Sequence, residues 1–136
     1  MRLVLKFVAL MFLASTAMAE NGTVHDCDFK VARGKWLSEK VIFGVGEKSG
    51  DVRVYDGIIH HAEGKPIFAR VSRNDEKRFV IHWRVSMPDK FGRTADIKFR
   101  LTYFRKNGKA SIVSDVQGYD NFDSASGRCK LSKGKV

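Results

Sequence analysis

Between Thr94 and Gln117 apolar and polar residues alternate along two runs, T-A-D-I-K-F-R-L-T-Y-F-R and A-S-I-V-S-D-V-Q, on either side of Asn107-Gly108. A period of two marks a strand with one buried face. Asn-Gly between two such runs predicts a hairpin, because a two-residue type I′ turn needs positive φ at both centres. In that register Lys106 faces Lys109, which pairs Tyr103 with Ile112, Leu101 with Ser114 and Phe99 with Val116 on the core side. The other side sets Phe104, Thr102, Arg100 and Lys98 against Ser111, Val113, Asp115 and Gln117, a mostly solvated set with one opposite-charge pair.

The same period recurs upstream. Cys27, Phe29 and Val31 alternate, then Val41, Phe43 and Val45; residues 20–26 read as a polar, loosely held lead-in. Val52 to Ile59 reads as a third strand slackened by a bulge at Asp56-Gly57. Ile67, Ala69 and Val71 form an inner set, as do Phe79, Ile81, Trp83 and Val85; facing them pairs Val71 with Phe79 and leaves Arg73 to Lys77 as the loop. Residues 118–127, rich in Asp, Asn and Ser, read as a loop before a last short strand around Arg128 to Leu131. The pattern predicts an all-β domain, an antiparallel meander of about eight strands, with no helix-period segment beyond a doubtful turn at Trp36 to Lys40. Such a sheet must curl or split to bury its inner face, giving a small closed β-barrel or a two-sheet β-sandwich.

The ends sharpen this picture. Arg2 and Lys6, the apolar run around Phe7 to Ala14, and Ala17-Met18-Ala19 have the order of a signal peptide. Residues 1–19 are therefore expected to be cleaved, leaving residues 20–136 as a single β domain that is periplasmic or secreted, with no transmembrane segment. In that compartment Cys27 and Cys129 are expected to form one disulfide. A bond between the first strand and the last makes them neighbours, which a closed barrel requires and a flat meander forbids.

Composition adds a strong positive charge, +10 for the whole chain. Arg70, Arg84, Lys98 and Arg100, with Arg78 and His82, fall on outward positions of the central strands, in a pairing that sets Arg70 beside Val80. Phe68 and Phe104 flank them, while Val80 and Val113 are further outward apolar positions. Cations beside aromatics suit an anionic, partly apolar surface such as lipid A, or an acidic protein. Nucleic acid is not an expected partner, since export removes the usual target and no recognition motif occurs.

His60-His61-x-Glu63 contains metal-ligand residue types, but neighbours on a strand point to opposite faces, so only His61 can join Glu63 there. Asp120 to Ser124 lacks the order of a calcium loop, and no G-x-S-x-G or S-x-x-K supports a serine nucleophile. No catalytic residue, metal ligand or cofactor is assigned.

The segment Val116 to Cys129 contains Gly118-Tyr119, Asn121, Phe122 and Gly127-Arg128-Cys129. It resembles the ends of small exported alphaproteobacterial proteins, which place a G-Y-x-N-x-F element before G-x-C; here the spacing from Asn121 to Phe122 is one residue shorter. The resemblance implies a periplasmic, disulfide-closed β domain and no particular activity. In plan the chain also resembles small periplasmic lysozyme inhibitors of β-barrel fold, without their inhibitory loop motif. The expectation is a non-enzymatic binding protein that presents a basic outer face or loop to an anionic envelope component or acidic protein. The alternatives are a carrier with a small apolar ligand inside the barrel, and a metal-dependent hydrolase using His61, Glu63 and His82.

Overall fold

The computed structural model describes residues 19–120 and 122–136; the expected signal peptide, up to residue 18, lies outside them. The strands are β1 (Asn21–Phe29), β2 (Lys40–Gly46), β3 (Val52–Asp56), β4 (Ile67–Asn74), β5 (Arg78–Pro88), β6 (Thr94–Phe104), β7 (Lys109–Val116) and β8 (Phe122–Lys135), with one helix, α1 (Gly57–Glu63), between β3 and β4. Each strand pairs antiparallel with the next, and β8 returns to β1, so the sheet closes into an eight-stranded barrel. Cys27 faces Cys129 across the β1–β8 seam, and the two are joined by a disulfide spanning 102 residues of sequence.

Alternation explains the two faces. In β6, Ala95, Ile97, Phe99, Leu101 and Tyr103 are buried while Lys98 and Arg100 project outward. Phe43, Phe99, Ile81, Ile97, Leu101, Ile112, Val41, Val52, Val54 and Val85 fill the interior, and Trp83 stacks on Phe99 at 5.3 Å between ring centres. In membrane barrels the outward band is apolar and the inward positions are polar. Here the order is reversed. Among the described residues no helix is long and apolar enough to cross a membrane.

Local chemistry corrects several expectations. The β6–β7 hairpin is shifted by two residues, pairing Leu101 with Ile112 and Tyr103 with Ala110. Asn107 is not at positive φ; only Gly108 is, at +70°, and its N–H donates to the Phe104 carbonyl at 3.0 Å. The loop therefore takes residues 105–108, and an even shift leaves every side chain on its expected face. Between β4 and β5, Val71 pairs with Ile81, a bulge follows at Ser72, and the Asp75 carboxylate accepts from the Lys77 and Arg78 N–H groups, shortening the loop to residues 75–77.

Residues 57–63, read as strand and turn, are helical. Asp56 is the N-cap, accepting from the Ile59 N–H at 2.7 Å, and Gly64 closes the helix at φ 70°. The strand β1 begins at Asn21, not at Cys27, because β8 on one side and β2 on the other both continue alongside it. For the same reason β8 begins at Phe122, inside the expected loop, where it pairs with β7.

An up-and-down barrel puts alternate connections at alternate ends. Helix α1 occupies one end, with Ile59 fully buried and Leu37 from the β1–β2 connection buried nearby in the same core. The β4–β5 and β6–β7 loops lie at the other, along with both termini of the barrel.

Leu101→Ala should cost about 2–5 kcal/mol by opening a cavity, whereas Thr102→Ala, facing outward, should cost about 0.5 kcal/mol or less; denaturant melts of the two check the assignment of faces. Replacing both Cys27 and Cys129 by Ala should leave the barrel folded but less stable, by on the order of 4–5 kcal/mol in the chain-entropy model. A melt unchanged by that double substitution would show that the β1–β8 ladder closes the barrel unaided.

Candidate functional site

The central sheet sorts the outward cations into rows. Arg70 on β4 faces His82 on β5, which faces Arg100 on β6; two residues along, Arg84 faces Lys98. With strands about 4.8 Å apart, the first row spans only about 10 Å. A groove of about 330 Å³ runs among Arg70, His82, Arg84 and Lys98, touching Trp83 and Phe99. The register thus brings five of the six expected basic positions together, with Arg78 apart opposite Phe104, and Arg70 sits beside His82 and not beside Val80.

The ion pairs lie elsewhere. Among the described residues, carboxylates pair with Lys35, Lys40, Arg73, Arg93 and Lys133, and with no member of these rows. Asp115 faces Lys98 across β6–β7 without coming within ion-pair distance. His82 is half-buried, and its Nε2 lies 2.8 Å from the Ser72 hydroxyl. Burial, then the charges of Arg70 and Arg100, holds its pKa below the ordinary imidazole value. A neutral ring there spares the row a third adjacent positive charge.

The flanking aromatics are placed unequally. Phe68 is 64% exposed, with the Arg53 guanidinium 4.9 Å from its ring centre, whereas Phe104 is half-buried beneath Arg78 at 5.3 Å. Val80 is buried and Val113 half-buried, so neither extends an exposed apolar patch. Arg53, directly opposite Phe68, belongs to the same face. It was findable, since Val52-Arg53-Val54 alternates and leaves Arg53 outward.

The histidines around α1 form no second centre. His60 Nδ1 contacts the Tyr55 hydroxyl, His61 and Glu63 are exposed on the helix, and His82 lies on the outer face of β5. Among the described residues there is no cluster of three or more His, Cys, Asp or Glu side chains suited to a metal.

At the open end the structure adds an arrangement that the sequence reading missed. His25, 4% exposed, points into the barrel and stacks on Phe43 at 4.2 Å, with Phe79 in nearly parallel planes beyond and Tyr103 edge-on at 5.1 Å. Among the described residues its Nδ1 has no hydrogen-bond partner. Burial foremost, with the Arg105 charge adding to it, lowers the His25 pKa to about 4. The signal was present in Thr23, His25, Cys27 and Phe29, where the alternation continues upstream of the cysteine.

Compared with protein-family models, with curated proteins and with solved structures, the chain has no significant match. Fold and face together define a class: a small antiparallel barrel, closed by one disulfide, filled with apolar side chains and carrying unpaired cations on one outer face. Its disulfide is the state expected in an oxidising compartment.

Neutral His25 is the form the fold accommodates, so below about pH 6.5 protons bind the unfolded chain first. Stability should therefore fall as pH drops from about 6.5 to about 4 and then level, a loss of roughly 3 kcal/mol at about 1.4 kcal/mol per pH unit. Asp56, whose pKa burial raises, works in the opposite direction near the carboxylate range. The difference between wild type and His25→Phe isolates the histidine: urea melts across that interval should show the loss in wild type and not in the variant.

Proposed function

We propose that this protein is a non-enzymatic binding protein of the periplasm, or secreted, that presents the β4–β6 outer face to an anionic envelope component or an acidic protein. One observation carries the reading: Arg70, Arg84, Lys98 and Arg100 are drawn into adjacent rows by strand register, and no carboxylate among the described residues pairs with them. Like charges brought this close repel one another. An anion from outside relieves that repulsion, and guanidinium groups match phosphate and carboxylate geometry well. Phe68 and Arg53 at the edge of the face add an apolar contact beside charge. The expected signal peptide and the disulfide support the compartment.

The protein should be retained on phosphatidylglycerol vesicles or on immobilised polyglutamate, the two supports separating a lipid from an acidic-protein preference. Retention should fall steeply as the Debye length shortens from about 10 Å at 0.1 M salt to about 3 Å at 1 M. A variant with Arg70→Glu, Arg84→Glu and Arg100→Glu should lose it at every salt concentration. Equal and salt-insensitive retention of both proteins, or none at low salt, would return these cations to an ordinary solvated face.

A further inference from the structure

We propose that the open mouth of the barrel is a second binding site, separate from the basic face, which takes a small organic carboxylate with an apolar body. The barrel is asymmetric along its axis. Ile59 and Leu37 are buried at the helix end, whereas the opposite end leaves a pocket of about 220 Å³ lined by His25, Phe79, Val45, Leu131, Asn74 and Arg105, among others. That volume lies below the roughly 300–1,000 Å³ of sites for drug-sized molecules, which restricts the occupant to a small one.

Arg105 supplies the charge. Its backbone N–H donates to the Lys77 carbonyl at 3.0 Å, its Nε to the Asp75 carbonyl at 2.9 Å and its Nη2 to the Asn74 side-chain oxygen at 2.6 Å. The guanidinium also lies 5.3 Å from the centre of the Phe79 ring. It is therefore fixed in position before any ligand arrives, yet among the described residues it has no carboxylate partner. The nearby Asp75 carboxylate is taken by Arg73 and by the Lys77 and Arg78 N–H groups. A guanidinium carries five N–H donors, so donors remain to receive an oxygen, and a cation already immobilised loses little further entropy on binding.

The remaining lining selects the body of the ligand. Phe79, Val45 and Leu131 are apolar, and Leu131 is left 50% exposed. The floor is formed by His25 and Phe79, both stacked with Phe43 of the core, and His25 is a buried polar ring whose Nδ1 is unpartnered among the described residues. A hydroxyl-rich anion such as a sugar phosphate would strand its hydroxyls against the apolar walls, and a polyanion would find only one guanidinium here. A single carboxylate on a compact apolar frame satisfies both parts of the pocket.

The oxidised protein should be titrated with benzoate, hexanoate and the neutral isostere benzamide while its backbone amide and arginine Nε resonances are followed by NMR. Both carboxylates should give saturable shifts at Thr23, His25, Asn74 and Arg105, with affinity at least tenfold above that of benzamide. Arg105→Gln should lower carboxylate affinity at least tenfold. Because that change also removes hydrogen bonds to the β4–β5 loop, Leu131→Trp serves as a second variant: it fills the mouth, touches none of those bonds, and should block binding. The triple charge reversal on the β4–β6 face should leave the carboxylate titration unchanged, so this proposal and the preceding one fail separately. Benzoate no better than benzamide, shifts confined to Arg70, His82 and Arg84, or no saturable shift at the mouth would each overturn the assignment.

Discussion

Closure of the first strand onto the last is the constraint on which the other features depend. Once β1 pairs with β8, the sheet has no free edge, and every strand must place one face inside and the other outside. The disulfide stands between directly opposed residues of that ladder, so the covalent bond and the backbone pairing specify the same register. Gly127, where β8 passes from β7 to β1, shows how close the chains lie: a side chain there would drive its first carbon into the Asp28 carbonyl oxygen. With the seam fixed, the outward cations of β4, β5 and β6 have no freedom to disperse around the wall.

The two ends meet the polar groups of the fold differently. At the helix end, Asp56 is buried with one carboxylate oxygen capping α1 and the other unpartnered, while Ile59 packs into the core. At the open end, a histidine takes a place among aromatic rings, with its Nδ1 unpartnered among the described residues. Its proton affinity is lowered as a result. Both positions trade stability for a polar atom held in a defined place, one explained by the helix cap and the other by no partner within the described chain.

Period-two alternation made the strands and their faces legible in the sequence, and the two cysteines made the closure legible. Leu101, Phe99, Ile81 and Trp83 all point inward as their spacing demands. Register was less legible because it is decided in turns, where single φ angles and side-chain hydrogen bonds compete: Asn107 accepted from Lys109 N–H in place of adopting positive φ, and Asp75 gathered its own loop. The helix was missed because Ile58-Ile59 read as a strand continuing from β3, although Asp56 and Gly64 stand at its cap positions. Of the candidate site, the membership of the basic face was legible, but the neighbour of each cation was not. Arg105 and His25 lie 80 positions apart, and only the closed topology brings them to one pocket.

In a ring of eight strands β5 lies across the barrel from β1, and this gives the molecule an electrical polarity. Around β1, β2 and β8 several lysines are matched: Lys40 with Asp26 and Asp28, Lys35 with Asp123, and Lys133 with Glu47. Across the barrel, Arg70, Arg84, Lys98 and Arg100 have no carboxylate partner among the described residues, so unneutralised positive charge is weighted toward that wall. A dipole of this kind exerts a torque in the field of an anionic surface, turning the molecule during approach and before any contact forms. The wall that turns outward is the β1–β8 seam, whose disulfide lies on its inner, buried side and stays shielded from solvent in either orientation.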